Sequence, residues 1–465
     1  MFQQDKKPIN KMPLLNFLDC HCHLSSNPEA KRSWHPSRWL TLTALMTLLL
    51  TVQQVTAQQQ TIAQQTAAAI AAGDTFRVTA GSNLQFDSNV FRLSPSIDPL
   101  VMTGQPTRSD RIIISTATLN FNKLYSLQRF EGNASFVDNR YDNFNFLDFT
   151  AFNYGGAWRW KLTPYLYGNL TGNHTEALNN FAALTGFVNS NTRNLRINDN
   201  LRFDAVYEID GAWRIIGGIA QDTFKNSRQF LQDFSNTVRS VDGGIRYAFP
   251  SGSSLTYKLR RGWGEFLNRP EPIADRLFDN RFTELEHEVH LLWPVTGKTS
   301  IDARAAHIER KHANFSQRDF SGFTGNFNLN WAITGNTRLT ASWARTLGNF
   351  QTAPDGGLIN PSFQQFSSSY IATDRFSLEP VWQITANTAL RLRYDYSMMD
   401  FLGGVTAIPS GNRSDLMHSG VITLDWQPVN AFFLSASLQH DRRTSNFTGF
   451  DFNRSAASVN ARINF

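Results

Sequence analysis

Cysteine is almost absent. The 465 residues hold only Cys20 and Cys22, both ahead of the one long apolar run, so a chain cut after that run has none and disulfide stapling is excluded. Charge is sparse too, at 18% of residues against about 25% in an ordinary soluble protein. No run of Lys and Arg of nucleic-acid type occurs, so no nucleic-acid partner is expected. With a mean hydropathy of −0.33 and no second long apolar segment, a bundle of membrane-spanning helices is excluded. Catalytic fingerprints are missing as well: there is no HExxH, GxSxG, P-loop or dinucleotide motif, so no enzyme and no cofactor is expected. His287-Glu288-Val289-His290 invites a metal reading, but on a strand the two His would point to opposite faces and could not share an ion.

What is present is aromatic and alternating. Thirty-seven Phe, 11 Trp and 11 Tyr are spread among Asn, Ser, Thr and Gly, which suits strands with one apolar and one polar face. Lys31, Arg32 and Arg38 lead into the apolar run Trp39–Val52, followed by Val55-Thr56-Ala57, the pattern of a signal peptide over residues 31–57 cut at Ala57–Gln58. The run is short for an uncleaved anchor. Residues 1–30 precede a complete signal and read as a start-site extension, and residues 58–74 as a periplasmic linker. Within the extension, Cys20-His21-Cys22-His23 has zinc-type donors, but neighbours in a chain cannot all converge on one tetrahedral ion, so no metal site is expected there. The formal charge is +6, of which the residues before 58 carry +3, leaving a mature chain of only +3.

From Thr75 the chain alternates to its end and carries a recurring turn. Trp293-Pro-Val-Thr-Gly-Lys-Thr-Ser-Ile301, Trp331-Ala-Ile-Thr-Gly-Asn-Thr-Arg-Leu339 and Trp382-Gln-Ile-Thr-Ala-Asn-Thr-Ala-Leu390 share one pattern. Looser copies lie at Trp160–Pro164, Tyr207–Trp213, Tyr247–Gly252 and Trp426–Asn430, with a weak one near Asn122–Tyr125. Each copy joins two alternating segments, and longer stretches separate the copies. One short and one long connection per unit is the asymmetry of an outer-membrane barrel, whose short turns face the periplasm and whose long loops face outward; a propeller or sandwich would not show it. Eight turns give sixteen strands, and a first strand (Phe76, Val78, Ala80, Leu84 and Phe86 on one face) and a last one make about eighteen. The fold expected for residues 75–465 is an all-β, transmembrane, antiparallel up-and-down barrel in the outer membrane of a Gram-negative bacterium. In the last strand Ala457, Val459, Ala461 and Ile463 alternate with polar residues and the chain stops at Phe465, similar to the signal read by the barrel assembly machinery.

Alternation also assigns the lumen. If Leu285, Val289, Leu291 and Trp293 face lipid, then Glu284, Glu286, Glu288 and His290 face inward; Lys258 and Arg260 on the preceding strand do the same. Counting back from the strand ends sets Arg260 near Glu288 and Lys258 near His290. The rule also sends inward Arg202, Asp204, Arg214, Arg304 and Arg338, then Arg375, Arg391, Arg393 and Arg462, with Glu208, Asp302, Glu379, Asp395 and Asp425. Such a wall is wet and nearly charge-balanced, and wall ion pairs alone account for much of it. Residues 345–370, with Pro354-Asp-Gly-Gly357 and several Phe, read as the longest loop and the candidate to fold inward as a constriction.

The first strand and its loop read Asp74-Thr-Phe-Arg-Val-Thr-Ala-Gly81, then Asp87-Ser-Asn-Val-Phe-Arg-Leu93. With the Trp turns and a barrel of this length, that opening resembles the EpsL family of outer-membrane β-barrels encoded with exopolysaccharide biosynthesis systems. The resemblance covers roughly residues 74–465 and implies export of an extracellular polysaccharide through the lumen, with periplasmic polysaccharide-export proteins as partners. A passive porin for small nutrients and a structural protein of the cell surface are the alternatives.

Overall fold

The computed structural model describes residues 75–179, 181–184, 193–228, 234–352, 363–405 and 411–465. The 1–30 extension, the Cys20–His23 cluster, the signal segment and the 58–74 linker lie outside them.

The described chain is a closed sheet of 18 antiparallel strands. These are β1 (Phe76–Asp87), β2 (Asp110–Tyr125), β3 (Gln128–Tyr141), β4 (Phe149–Lys161), β5 (Leu166–Leu178) and β6 (Leu195–Glu208); β7 (Trp213–Asn226), β8 (Asn236–Ala248), β9 (Ser254–Phe266), β10 (Arg281–Thr296), β11 (Thr299–His312) and β12 (Phe320–Ala332); and β13 (Thr337–Asn349), β14 (Tyr370–Thr385), β15 (Thr388–Leu402), β16 (Ser414–Val429), β17 (Phe432–Ser445) and β18 (Phe452–Asn464). Each strand pairs with its sequence neighbours, and β1 closes the ring on β18, with Leu84 opposite Val459 and Phe86 opposite Ala457. Closure leaves no free edge, so every strand finds backbone partners on both sides without water.

Alternation then separates the two faces. Val78, Leu84, Ile219, Val289, Leu378, Ile422 and Val459 are exposed on the outside, where only lipid makes exposure of such side chains favourable. Trp213, Trp293, Trp331, Trp382 and Trp426, all exposed, ring the turn end as an aromatic belt. The expected turns are present, with one shift: β2 continues through Tyr125, and the chain reverses at Ser126-Leu127. Ser126 there takes φ 54, the left-handed conformation a two-residue hairpin turn demands. Serine gives no signal of that need, which is why the sequence places this turn too early.

Candidate functional site

The inner wall is built on β9, β10 and β11. Glu284, Glu286 and Glu288 stand at alternate positions of β10 and face the lumen between cations on both neighbours. Lys258 meets Glu288 at 3.0 Å, and Arg260 meets Glu284 at 3.1 Å and Glu286 at 3.5 Å. From β11, Arg304 reaches Glu288 at 2.6 Å and also binds Glu286, Arg310 binds Glu284, and Asp302 accepts His290 at 2.8 Å. These partners correct the counted register. Lys258 lies opposite Glu288, not His290, and Arg260 opposite Glu286, not Glu288. The cause is unequal length: β10 runs on through Trp293–Thr296 beyond the partner of Ser254, the first residue of β9, and a count from the strand ends misses this overrun.

The other expected lumen residues share this inner face. Arg202 on β6 crosses over β7 to reach Asp242 on β8 at 2.9 Å. It can do so because Gly218 stands between them; a Cβ there would sit 2.7 Å from the Arg202 guanidinium. Asp204 accepts Asn169 at 2.9 Å, and Arg214 pairs with Glu208 at 3.0 Å. Asp395 takes both Arg375 at 2.8 Å and Arg393 at 2.9 Å, and Arg391 meets Asp425 at 2.6 Å. Arg338 and Arg462 differ. Among the described residues neither has a carboxylate within ion-pair distance; Arg462 instead lies 4.5 Å over the Phe433 ring. Both stand near the turn end. The wall is thus lined by charges that cancel locally, with uncompensated arginines toward the periplasmic mouth.

At the loop end the lumen-facing side chains become buried. Asp87, Asp415, Asp441, Arg443 and Arg454 are all within 3% of complete burial. Only loops folded inward can cover them. The cover is one apolar core shared by Val90, Phe91 and Leu93 of the β1–β2 loop, Phe144 and Leu147 of β3–β4, Phe363 and Phe366 of β13–β14, and Phe447 and Phe450 of β17–β18. The β5–β6 loop joins through Phe181, 4.6 Å from Phe91. Loops rising from more than half the circumference therefore meet over the lumen.

Charges fasten this cap. Arg454 bridges Asp87 at 2.9 Å and Asp441 at 2.7 Å, closing the seam between β18 and β1. Arg413 is held by Asp415 and lies 3.7 Å over Phe450 and 4.1 Å over Phe401. Arg318, fully buried, donates to the carbonyls of Thr352 at 2.7 Å, Ser368 at 2.8 Å, Arg276 at 3.0 Å and Leu277 at 3.2 Å. It ties the β9–β10, β11–β12 and β13–β14 loops together. Burial pushes its guanidinium down to about 10, still cationic at neutral pH.

Two expectations about this region change. Residues 345–349 belong to β13 and Tyr370 begins β14, so the expected loop spans 350–369, and the β1–β2 loop, residues 88–109, is longer. Residues 353–362 lie outside the described part, and the rest of the loop is packed into the cap: Gln351, Thr352, Phe363, Phe366, Ser368 and Ser369 are all buried. The Asp87–Leu93 stretch folds as a tight knot. Asp87 accepts the Asn89 N–H at 2.9 Å, Asn89 exchanges hydrogen bonds with Leu93 at 2.8 and 2.9 Å, and Arg92, at φ 57, returns to Asp87 at 3.1 Å.

The sequence does hold a signal for the cap that turn-counting misses. Asn143-Phe144-Asn-Phe-Leu-Asp148-Phe149, Asn314-Phe315-Ser-Gln-Arg-Asp319-Phe320 and Asn446-Phe447-Thr-Gly-Phe-Asp451-Phe452 repeat one pattern, each between two strands at the loop end. In the first two copies the Asp accepts the N–H of the preceding strand's last residue: Tyr141 to Asp148 at 2.8 Å and His312 to Asp319 at 2.7 Å. The residue before that Asp points into the cap as Leu147, Arg318 or Phe450, all fully buried.

A closed barrel with an apolar, aromatic-belted exterior and a charged interior is the form in which a β-sheet crosses the outer membrane of a Gram-negative bacterium. This chain is an outer-membrane β-barrel. No family model matches its sequence, and no curated protein does. Among solved structures it is similar to the outer membrane protein OpdK from Pseudomonas aeruginosa, with 10% identity, 84% of this chain and 99% of that one covered, and a TM-score of 0.45. A BenF-like porin from Pseudomonas fluorescens Pf-5 gives 10% identity over the same 84% and 99%, at a TM-score of 0.46. OccAB3 of Acinetobacter baumannii gives 11%, over 84% and 100%, at 0.43. At such identities no residue role transfers.

Proposed function

We propose that the barrel is a passive channel for small water-soluble solutes, narrowed at its outer end by the loop cap. The observation that carries this reading is the change along the inner wall, from ion-paired side chains partly open to water to side chains buried beneath loops. Eighteen strands enclose an aqueous bore unless something fills it. The paired wall charges support passage of water and polar solutes, and the cap supports a size limit. Liposomes carrying the purified barrel should swell in monosaccharides and resist longer oligosaccharides; no swelling in any of them would overturn the channel reading.

Export of an extracellular polysaccharide, implied by the family resemblance, is the competing reading. The Asp87–Leu93 stretch that carries the resemblance is engaged in folding the cap, so it speaks for architecture rather than cargo. Deleting the gene separates the two: small-solute uptake falls under the channel reading, and secreted polysaccharide falls under the other.

Phe465 is proposed as an assembly signal. Its backbone exchanges hydrogen bonds with Val78 at 2.8 and 3.3 Å, and the residue, on the lipid side, is 75% exposed. Removing it should lower outer-membrane levels of heat-modifiable protein, and unchanged levels would contradict the role.

A further inference from the structure

The outward face of β8–β11 carries charge that the channel reading does not use. Register places Arg239 beside Trp263, Trp263 beside Thr283 and Thr283 beside Lys311, in one row across four strands. Arg261 lies two residues from Trp263 on β9, diagonal to Arg239. Arg281 lies two residues from Thr283 on β10, diagonal to Lys311. All four cations are exposed. The row's height follows from geometry. Trp293, in the turn-side belt, and Thr283 lie ten residues apart on β10, which at about 3.4 Å per residue and a tilt of about 40° is roughly 26 Å of vertical rise. That matches an apolar band about 25 Å tall, so the middle of this row, at Thr283, reaches the headgroups of the outer leaflet.

Charge balance marks the patch out. Elsewhere on the outward faces of the strands at this end, among the described residues, cations are matched: Arg111 by Asp142 at 2.7 Å, Arg140 by Asp138 at 2.8 Å, Lys225 by Asp199 at 3.5 Å, and Arg345 by Asp374, with Arg442 a single exception. On β8–β11 two carboxylates face four cations. Glu265 meets Arg239 at 3.4 Å and Glu309 meets Lys311 at 2.9 Å, while Arg261 and Arg281 have no carboxylate within ion-pair distance among the described residues. Each unmatched guanidinium sits diagonal to a second cation, at about the 7–8 Å of diagonal neighbours on a sheet. From β8 to β11 is about 14 Å, so the two cation pairs stand apart on the face and address two separate anionic groups. Guanidinium offers the forked donors that phosphate oxygens accept, and Trp263 supplies an interfacial ring between the two pairs.

We propose that this face binds a phosphorylated outer-leaflet lipid, with Arg239 and Arg261 on one phosphate and Arg281 and Lys311 on another. The test is native mass spectrometry of the complete barrel in detergent with diphosphoryl lipid A, the same lipid without phosphates, or inorganic phosphate. The wild type should retain the diphosphoryl lipid, and Arg261→Gln with Arg281→Gln should weaken that binding about tenfold while heat-modifiability stays normal. The control pair Arg140→Gln with Arg442→Gln should leave it unchanged. Equal binding by the β9–β10 double variant, an equal loss in the control, or equal retention of the phosphate-free lipid would each overturn the proposal. So would binding of inorganic phosphate with the same dependence on Arg261 and Arg281, which would assign the site to the free anion.

Discussion

The two ends of the barrel solve different problems with the same strands. On the inner face of β17, Phe433, Ser435, Ser437 and Gln439 are half-buried, whereas Asp441 and Arg443, a few residues further up, are buried. β18 repeats this in reverse, from buried Phe452 and Arg454 to half-buried Ser458 and Arg462. At the turn end the environment is set by the sheet alone: lipid on one side, a wet lumen on the other, and a hairpin below. At the loop end it is set by chain brought in from elsewhere on the ring. Structure at the turn end is therefore local and periodic, and structure at the loop end is tertiary.

If that contrast is right, the largest effect comes from releasing the clasp of the cap. Arg318→Ala leaves four carbonyls, of the β9–β10 and β13–β14 loops, without this donor, at about 1–3 kcal/mol for each unsatisfied group. The cap should loosen and single-channel conductance in planar bilayers should rise; unchanged conductance would mean the cap does not narrow the bore. Phe366→Ala removes a fully buried ring from the same core and should cost about 3–5 kcal/mol. Its signature is a lower thermal transition for the cap while the barrel keeps its heat-modifiability, and simultaneous loss of both would show that cap and barrel are one cooperative unit.

Within the wall the contrast is between faces. Val289→Arg puts a charge against lipid near mid-depth and should impair insertion by about 2–4 kcal/mol, whereas Glu288→Gln, on the inner face, should insert normally. Equal outer-membrane levels of the two variants would contradict the register of β10.

Acid offers a finer probe of the loop end. Burial pushes the Asp279 carboxyl up, but the N–H groups of Asn314, Arg281 and Phe315 outweigh it and hold the carboxyl below its usual range. A depressed value in the folded state means this latch stabilises fully at neutral pH and weakens as pH falls below the unfolded value of about 3.9. Conductance should stay level from neutral pH down to about pH 4 and rise only below it; a rise beginning near pH 6 would point to a histidine instead. The smallest effect belongs to the bare arginines of the periplasmic mouth. Arg338→Gln with Arg462→Gln should move the reversal potential in a salt gradient modestly away from anions, leaving conductance nearly as it was, because the paired wall charges already cancel most of the field.

The same contrast explains what was legible in the sequence. The strand number, the outward aromatic residues at the turns and the inward ladder of Glu284, Glu286 and Glu288 follow from a period of two, which any stretch of the chain displays by itself. The partners of that ladder do not, because they depend on where β10 overruns β9. The cap was least legible. The Arg454–Asp87 bridge joins residues 367 apart, and the burial of Phe144, Phe366 and Phe450 depends on loops converging from separate strands. Even so, the Asn-Phe and Asp-Phe pairs at 143–149, 314–320 and 446–452 are a local trace of it. Asp accepting a backbone N–H and Phe seeking a core are preferences of single residues, and their repetition marks where loops turn inward.

The central claim is an aqueous channel narrowed by its own loops, and the direct measurement is planar-bilayer conductance of the wild type beside a variant with residues 350–369 replaced by a short linker. Both should carry current, the variant markedly more. If neither conducts while both are folded and heat-modifiable, the barrel is not a channel and the account is wrong.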